Sequence, residues 1–273
     1  MDWRLKALAF RALELPGGSH AHYFLQRHVT RNWPRRAEGL KALAAVARRV
    51  TEDYARHVGG TPDRVLEIGA GRDLAVPLAL RQLGVREVVA SDVERLAKLD
   101  LVRHAAEHVL SDKRELHTWE DLKRLGVTYL APHLVTQSDA TVDCSCSNEV
   151  LEHVPLDQLV NLLAALRSVT RKLTTHSIDY SDHYARSDSS VSRLNFLRYS
   201  DEEWRPYNNG RQYVNRLRHS DYLRLFREAG FRIIEESSVA GIVPPGLVPA
   251  PQFSRYHADD LFAVKGRIIA VPE

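Results

Sequence analysis

Short apolar runs alternate with segments of helical periodicity along most of the chain. The runs are rich in Val, Ile and Leu, and their lengths suit strands rather than helices. Such an alternation favours an open α/β sheet. The predicted strands are 64–68, Glu87–Ala90, Val127–Leu130, Val142–Ser147, Thr174–Asp179, Phe231–Val239 and Leu261–Ala270, and the last could be interrupted at Gly266.

The segments between these runs repeat apolar residues every three or four positions, as amphipathic helices do. Pro77 restricts the helix after the first strand to a start near Ala75 or Val76, because proline fits only the first turn. Residues 36–58 form the longest repeat, and we expect its apolar face to pack against the sheet. That face consists of Leu40, Leu43, Ala44, Ala47 and Val50. The other predicted helices are 94–110, Trp119–Leu125, Leu156–Arg171 and 219–229.

Two segments depart from the alternation. Residues 1–35 predict an N-terminal helical cap, with a break at Pro16-Gly17-Gly18 and a second helix capped by Ser19. The cap could pack against the sheet or cover the substrate, and the sequence favours neither. The apolar positions of its first helix are Leu5, Leu8, Ala9, Ala12 and Leu13. Residues 180–218 are rich in Tyr, Ser, Asp, Arg and Asn and too long for an ordinary connection, so they predict an inserted lid.

Charge and composition narrow the classes of partner. The chain carries 38 Lys and Arg against 35 Asp and Glu, a formal net charge of +3 that is spread along its length. No dense basic patch is interleaved with aromatic residues, so nucleic acid is not an expected partner. No stretch approaches the roughly 20 apolar residues of a membrane span, and the charged N-terminus does not resemble a secretory signal.

The only cysteines, Cys144 and Cys146, stand two residues apart on a predicted strand. They therefore point to the same side and are badly placed to bridge each other. The absence of a disulfide framework fits a reducing compartment, so we expect a cytoplasmic protein.

A glycine turn follows the first predicted strand, in the sequence Arg64-Val65-Leu66-Glu67-Ile68-Gly69-Ala70-Gly71-Arg72-Asp73. Strand, glycine turn and helix in succession are the nucleotide-cofactor geometry of open α/β sheets. A dinucleotide fingerprint would need a third glycine where this chain has Leu74. Asp92 ends the second strand, where an acid can bind the hydroxyls of a cofactor ribose; the alternative is a helix cap or a surface residue.

The fourth predicted strand is followed by Ser147-Asn148-Glu149-Val150-Leu151-Glu152-His153-Val154-Pro155. Together with Val65–Asp73 and Asp92, this stretch resembles the class I S-adenosylmethionine-dependent methyltransferases. The resemblance covers roughly residues 36–273 and implies one methyltransferase domain with a lid insertion at about 180–218. It implies a Rossmann-like sheet of seven strands, mostly parallel with an antiparallel last strand, and helices on both faces.

The resemblance also implies a cofactor site for S-adenosylmethionine. The turn residues Glu67, Gly69, Ala70 and Gly71 would hold the methionine end of the cofactor, and Asp92 its ribose. The Leu130–Pro132 turn would border the adenine, where many relatives have an Asp that is missing here; Ser138 or Asp139 could supply that contact. The floor below the methyl group would consist of Ser147 and Asn148.

Methyl transfer to a hydroxyl needs alignment and a proton acceptor. His153 is the most natural base, and Glu149, four residues earlier, would share its helix face. In the ubiquinone-pathway O-methyltransferases, which this stretch resembles, the residues matching Glu149, Glu152 and His153 are associated with Mg²⁺. Since a His ligand is unusual for Mg²⁺, we expect no metal here, and His153 could instead orient a hydrogen-bond network.

The lid offers further candidates. Asp182 and His183 could form a second base dyad, and Arg198 and Arg216 could hold an anionic acceptor. The alternative is an ordinary lid that satisfies its own hydrogen bonds. The candidates without a stated role are Tyr184, Arg193, Asn195, Tyr199 and Asn215.

The sequence thus predicts transfer of a methyl group to a hydroxyl of a small molecule, sugar or lipid-linked intermediate, by a monomer or homodimer. Methyltransferases acting on nucleic-acid bases often carry Asn/Asp-Pro-Pro-aromatic after strand four, which this chain lacks. Two alternatives remain: a non-catalytic cofactor-binding protein of the same fold and, disfavoured by Leu74, a nicotinamide-dependent oxidoreductase.

Overall fold

A seven-stranded sheet forms the centre of the molecule, in the order β3-β2-β1-β4-β5-β7-β6. The computed structural model describes residues 2–14, 18–112, 116–137, 140–210 and 212–273. The strands are β1 (Arg64–Ile68), β2 (Glu87–Ser91), β3 (Val127–Leu130), β4 (Val142–Asn148), β5 (Thr170–Asp179), β6 (Phe231–Ala240) and β7 (Ala263–Pro272).

Strands β1 to β5 run parallel, and β7 is antiparallel to both β5 and β6. This confirms the predicted Rossmann-like sheet. The last strand begins later than expected, because Leu261 ends a short helix before it. The expected break at Gly266 is absent: this residue pairs with Ile178 and Ser238 inside the ladder.

Helices fill the connections between the strands. They are α1 (Trp3–Ala12), α2 (Gly18–Phe24), α3 (Ala37–His57), α4 (Ala75–Gln82), α5 (Leu99–Val109), α6 (Trp119–Arg124), α7 (Leu156–Val169), α8 (Asp201–Trp204), α9 (His219–Glu228) and α10 (Ala258–Leu261). The predicted starts of α3 and α4 hold to within one residue. Helix α5 begins five residues later than predicted, because the amides of Leu96 and Ala97 donate to the Tyr129 hydroxyl in a preceding loop.

Two apolar layers cover the sheet. On one face, α3, α4 and α5 pack against Val65, Val88, Cys144 and Cys146. On the other face, α7 and α9 pack around Leu66. Both cysteines are buried and free. Burial of β1 on both faces fixes its carboxyl end at the middle of the sheet edge, where ligands of open α/β folds bind.

A third apolar cluster joins α1 to the inserted segment. Trp3 is buried and lies 5.3 Å from Tyr184 and 5.8 Å from Trp204, measured between ring centroids. The predicted packing face of α1 is therefore wrong: Leu5 and Leu8 are 61% and 59% exposed, because the aromatic cluster draws in the opposite face. Pro16 and Gly17 lie outside the described residues, and α2 begins at Gly18.

The second N-terminal helix lies beside the glycine turn. The ring of Tyr23 in α2 stacks under the guanidinium of Arg72 at 4.9 Å. Arg27 donates to the Tyr23 hydroxyl and pairs with Asp100 in α5. These contacts favour the interpretation that α2 covers the glycine turn rather than packing against the sheet. None of the helices in the described residues is long and apolar enough to cross a membrane.

We expect a methyl group added at Gly266 to destabilise the protein. A Cβ there would overlap the buried ring of Tyr180, and overpacking costs about 1–3 kcal/mol. Gly266→Ala should therefore lower the free energy of unfolding in a urea titration. Gly39→Ala in α3 is the control, because its Cβ would lie 3.8 Å from Arg35 and should stabilise the helix by about 1 kcal/mol. Equal stability of Gly266→Ala and wild type would contradict the packing described.

Candidate active site

The turn after β1 is held against the neighbouring strands by its backbone. The amides of Gly69 and Ala70 both donate to the Ser91 carbonyl at the end of β2. Gly69 has φ +71°, and a Cβ there would overlap the side chain of Val150. Glycine is therefore required on two counts, conformation and contact with the segment after β4.

Gly71 has the same left-handed conformation in a different setting. Its φ is +74°, and an added Cβ would meet nothing within 4 Å. Its amide donates to Asp92 at 3.1 Å, which joins the turn to the end of β2. The backbone at Gly71 thus borders open space, as close approach by a ligand requires.

Three carboxylates surround this turn. Glu67 is buried, and burial, reinforced by Asp73 and Asp92, raises its pKa to about 8. Burial also raises the pKa of Asp92, although the amides of Gly71, Glu94 and Val93 partly offset the effect. Arg35 pairs with Asp73 at 2.7 Å, whereas the Glu67 Oε2 atom has no hydrogen-bond partner among the described residues. A buried carboxyl group with an unpartnered oxygen beside an open glycine turn fits a ligand that brings a positive group.

The predicted adenine border adjoins Asp92. The Asp92 amide donates to the Leu130 carbonyl at 3.0 Å, and the His133 amide donates back to the Asp92 carbonyl. His133 Nδ1 lies 2.9 Å from the Ser91 hydroxyl, and burial lowers the pKa of His133. His133 was not predicted as a site residue, whereas the predicted Ser138 and Asp139 lie outside the described residues.

A buried polar chain supports the predicted floor at the end of β4. The Ser147 hydroxyl bonds to His176 Nδ1 at 2.7 Å, and His176 Nε2 bonds to Thr174 at 2.6 Å. Burial lowers the pKa of His176 to about 3, so this imidazole is neutral. The next residue, Asn148, ends the strand beside Ser177. Nothing in the local pattern of β5 distinguishes His176 from an ordinary strand residue.

The predicted helix face shared by Glu149 and His153 is wrong. Strand β4 continues to Asn148, Glu149 takes the left-handed φ of +55°, and only Leu151–His153 form a 3-10 turn. The Glu149 carboxylate accepts from Arg186 at 3.2 Å and from Lys265 at 3.3 Å.

His153 is oriented by a backbone carbonyl. Its Nδ1 lies 2.7 Å from the oxygen of Tyr213, and because a carbonyl only accepts, Nδ1 carries the proton. The lone pair is therefore on Nε2. His153 is exposed as a residue, but desolvation of its ring lowers its pKa. His183 and Arg186 lower this pKa further, whereas the hydrogen bond to the Tyr213 carbonyl raises it.

The Asp182–His183 dyad does not form. The carboxylate of Asp182 caps a 3-10 turn through the Tyr184 amide and binds the Asn195 side chain, both at 2.9 Å. The nearest carboxylate to His183 is instead Asp179, 3.6 Å from Nε2. His183 itself reaches the site: its ring centroid lies 4.9 Å from that of His153.

The C-terminal end of the insertion is hydrogen-bonded to the 3-10 turn Leu151–His153. The side chain of Asn215 donates to the carbonyls of Leu151 and Val154 at 2.9 and 3.0 Å, and its amide donates to the Glu152 carbonyl. Asn215 was an unassigned lid candidate, and Tyr213 was missed because it acts through its carbonyl.

The two arginines predicted to hold an anionic acceptor are engaged in the lid. Arg216 is buried and donates to the carbonyls of Phe196 and Tyr199, and it pairs with Asp201. Arg198 donates to the Gly246 carbonyl at 2.9 Å. Both guanidiniums therefore stabilise the insertion, as the alternative of a self-satisfied lid predicted.

The sequence matches a family model described as a methyltransferase domain over residues 18–236. This match covers most of the chain, and the chain therefore belongs to the methyltransferase-domain family. No curated protein sequence matches it significantly.

Solved structures share the fold at low sequence identity. The magnesium protoporphyrin IX methyltransferase of Synechocystis PCC 6803 with bound S-adenosylmethionine has a TM-score of 0.51 at 13% identity, covering 93% of this chain and 96% of that one. A Haloferax volcanii complex of the Trm112 methyltransferase activator with a methyltransferase gives 0.50 at 16% identity, covering 88% and 94%. At these identities the likeness shows the fold alone.

Family and fold together confirm the predicted class: the protein is a class I S-adenosylmethionine-dependent methyltransferase. The nicotinamide alternative is set aside. The residues that hold the cofactor remain predictions, which the glycine turn and its carboxylates make testable.

Gly71→Ala should affect both the stability of the protein and its binding of S-adenosylhomocysteine, and the two effects can be measured separately. The strained φ should cost about 1–3 kcal/mol of stability, and the new methyl group should weaken binding of S-adenosylhomocysteine by more than about tenfold, or ~1.4 kcal/mol. Gly60→Ala is a matched control, because Gly60 has φ +68° and nothing within 4 Å but precedes β1 at the opposite sheet edge. Equal losses of affinity in both variants would exclude the predicted role of Gly71.

Cofactor binding at pH 7 should release a proton from Glu67. Its raised pKa of about 8 keeps it protonated in the free protein, and an ammonium group of the ligand would favour the charged form. Titration calorimetry of S-adenosylhomocysteine in buffers of different ionisation enthalpy measures this release. We expect it to shrink in Glu67→Gln; an unchanged proton count would show that Glu67 does not meet the ligand.

Proposed function

We propose that the protein transfers a methyl group to a hydroxyl oxygen of a small molecule, with His153 as the proton acceptor. The observation that carries this proposal is the free Nε2 lone pair of His153, fixed by the bond from Nδ1–H to the Tyr213 carbonyl. The lowered pKa keeps this imidazole neutral near pH 7.

Contacts within the chain connect His153 to the cofactor turn. Val150 packs where a side chain on Gly69 would lie, and the His153 amide donates to the Val150 carbonyl at 2.9 Å. The base is therefore one 3-10 turn away from the residues predicted to hold the methyl donor. This proximity supports an in-line arrangement of acceptor and donor.

The bound cofactor supplies a methyl group on a positively charged sulfur. In the proposed mechanism, Glu67 and the glycine turn hold the methionine end, Asp92 holds the ribose, and Ser147 and Asn148 form the floor. His153 removes the proton of the acceptor hydroxyl as its oxygen attacks.

The acceptor class follows from the surroundings of His153. The insertion brings the imidazole of His183 beside that of His153, and the sequence lacks a dense basic patch with aromatic residues. Both features support a small molecule, sugar or the head of a lipid-linked intermediate rather than nucleic acid. Two buried free thiols fit the reducing cytoplasm. We therefore propose a biosynthetic enzyme of the cytoplasm, acting as a monomer or homodimer.

The function is tested with methyl-labelled S-adenosylmethionine and the small-molecule fraction of a bacterial extract. Mass spectrometry identifies labelled products, and NMR of the labelled carbon distinguishes methyl on oxygen from methyl on nitrogen or carbon. We expect O-methyl products. Label found only on nitrogen or carbon would overturn the proposed reaction, and no product from any fraction would favour the non-catalytic alternative.

Removal of the base should slow turnover without weakening cofactor binding. General-base catalysis contributes about 10²–10⁴-fold, so His153→Ala should lose activity by that factor and bind S-adenosylhomocysteine like wild type. The control is His108→Ala on the exposed side of α5, which should retain full activity. Full activity of His153→Ala would refute the assignment of the base.

The rate should fall in acid. Neutral His153 is the active form, and its pKa lies below the ordinary imidazole value of about 6.5. Turnover should therefore be constant around pH 7 and decline only below about pH 6.5. This decline is measured as kcat against pH, from the amount of labelled product. A rate that falls already between pH 8 and 7 would contradict a neutral His153.

A further inference from the structure

Three potential metal ligands converge beside the proposed methyl-transfer site. Glu152, His153 and His183 each offer one donor atom, and these atoms lie within 4.8 Å of one another. Glu152 and His153 come from the turn after β4, whereas His183 comes from the insertion. The sequence predicted His183 only as a second base.

Two buried polar atoms of this trio lack a hydrogen bond. Glu152 and His183 are only 2% and 4% exposed. Glu152 Oε2 and His183 Nε2 have no hydrogen-bond partner among the described residues. Among these residues, the only ion-pair contact of His183 Nε2 is with Asp179, at 3.6 Å. Buried polar groups are normally paired, and each unpaired one lowers the stability of the fold. A ligand that accepts electron pairs from both groups would remove this cost.

His153 has the protonation pattern of a metal-ligating imidazole. Such imidazoles usually donate their second ring N–H to a carbonyl or carboxylate, which fixes the tautomer. The Tyr213 carbonyl has this role here, and it leaves Nε2 as the free donor atom. The hydrogen bonds from the Asn215 side chain hold the turn that carries both His153 and Glu152.

The Mg²⁺ arrangement associated with the ubiquinone-pathway O-methyltransferases does not fit. Its third member, Glu149, is turned toward Arg186 and Lys265 and is not part of the converging trio. Two imidazoles and one carboxylate are instead a donor set for zinc or another first-row transition ion, because Mg²⁺ prefers oxygen ligands.

We propose that Glu152, His153 and His183 form a binding site for a divalent first-row transition ion such as Zn²⁺. Three protein ligands leave the remaining coordination positions open. The nearby charge of Arg186 is balanced by its pairs with Asp179 at 2.5 Å and with Glu149 at 3.2 Å. The site therefore presents a buried carboxyl group without a competing cation bonded to it.

Occupancy would regulate the proposed reaction. The ion and the acceptor proton compete for the same lone pair on His153 Nε2, so bound Zn²⁺ should inhibit turnover. This consequence rests on the proposed function, whereas ion binding itself does not.

Titration calorimetry with Zn²⁺ and the visible absorption of added Co²⁺ test the site on the full chain. We expect one ion per chain and a Co²⁺ spectrum of low coordination number. His183→Ala and Glu152→Gln should each weaken binding by at least about 100-fold, because even outer-shell partners contribute about 10- to 100-fold. Mg²⁺ should not displace Zn²⁺.

The surface cluster of His104, Glu107 and His108 in α5 provides the control. His108→Ala should leave the proposed site intact. Loss of the ion in His108→Ala with retention in His183→Ala would overturn the proposal, and so would failure of wild type to bind Zn²⁺ or Co²⁺. Circular dichroism establishes folding, and His183→Gln replaces His183→Ala if the latter unfolds.

The two proposals can fail separately. Zn²⁺ binding combined with full activity of His153→Ala would refute the base and leave the metal site standing. A large loss of activity in His153→Ala, without binding of Zn²⁺ or Co²⁺ to wild type, would refute the metal site and leave the base standing.

Discussion

The contact between Gly69 and Val150 is the constraint on which the site depends. Val150 occupies the space that a side chain on Gly69 would need, so the turn after β1 and the turn after β4 can close together only with glycine at this position. The first turn carries the groups predicted for the methyl donor, and the second carries Glu152 and His153. One packing contact therefore sets the separation between the predicted donor site and the proposed base, and methyl transfer depends strongly on this separation.

The insertion completes this arrangement from the other side. It supplies the Tyr213 carbonyl that selects the tautomer of His153, the Asn215 side chain that holds the turn, and the imidazole of His183. Two of its arginines, Arg198 and Arg216, are occupied in stabilising it. The insertion is thus part of the proposed catalytic geometry. The buried Oε2 atoms of Glu67 and Glu152, which have no hydrogen-bond partner among the described residues, are available to positively charged groups.

The order of strands and helices was predictable from the sequence, because strands buried on both faces leave continuous apolar runs and Pro77 marks the start of α4. The glycine turn predicted to bind the cofactor was also predictable, because Gly69 and Gly71 are visible in the local sequence. The geometry after β4 was not, because a non-glycine residue at positive φ, Glu149, leaves no pattern. Asp182 precedes His183 in sequence, yet a capping bond turns its carboxylate away. Tyr213 acts 60 residues from His153 through a backbone atom that every residue possesses.

A crystal structure with S-adenosylhomocysteine bound tests the central claim most directly. The measured quantities are the position of the cofactor sulfur relative to His153 Nε2 and the partner of Glu67 Oε2. The account predicts that the sulfur faces the space beside His153, with the cofactor ammonium bonded to Glu67 and its ribose bonded to Asp92. A sulfur that points away from His153, toward a different proton acceptor, would contradict it.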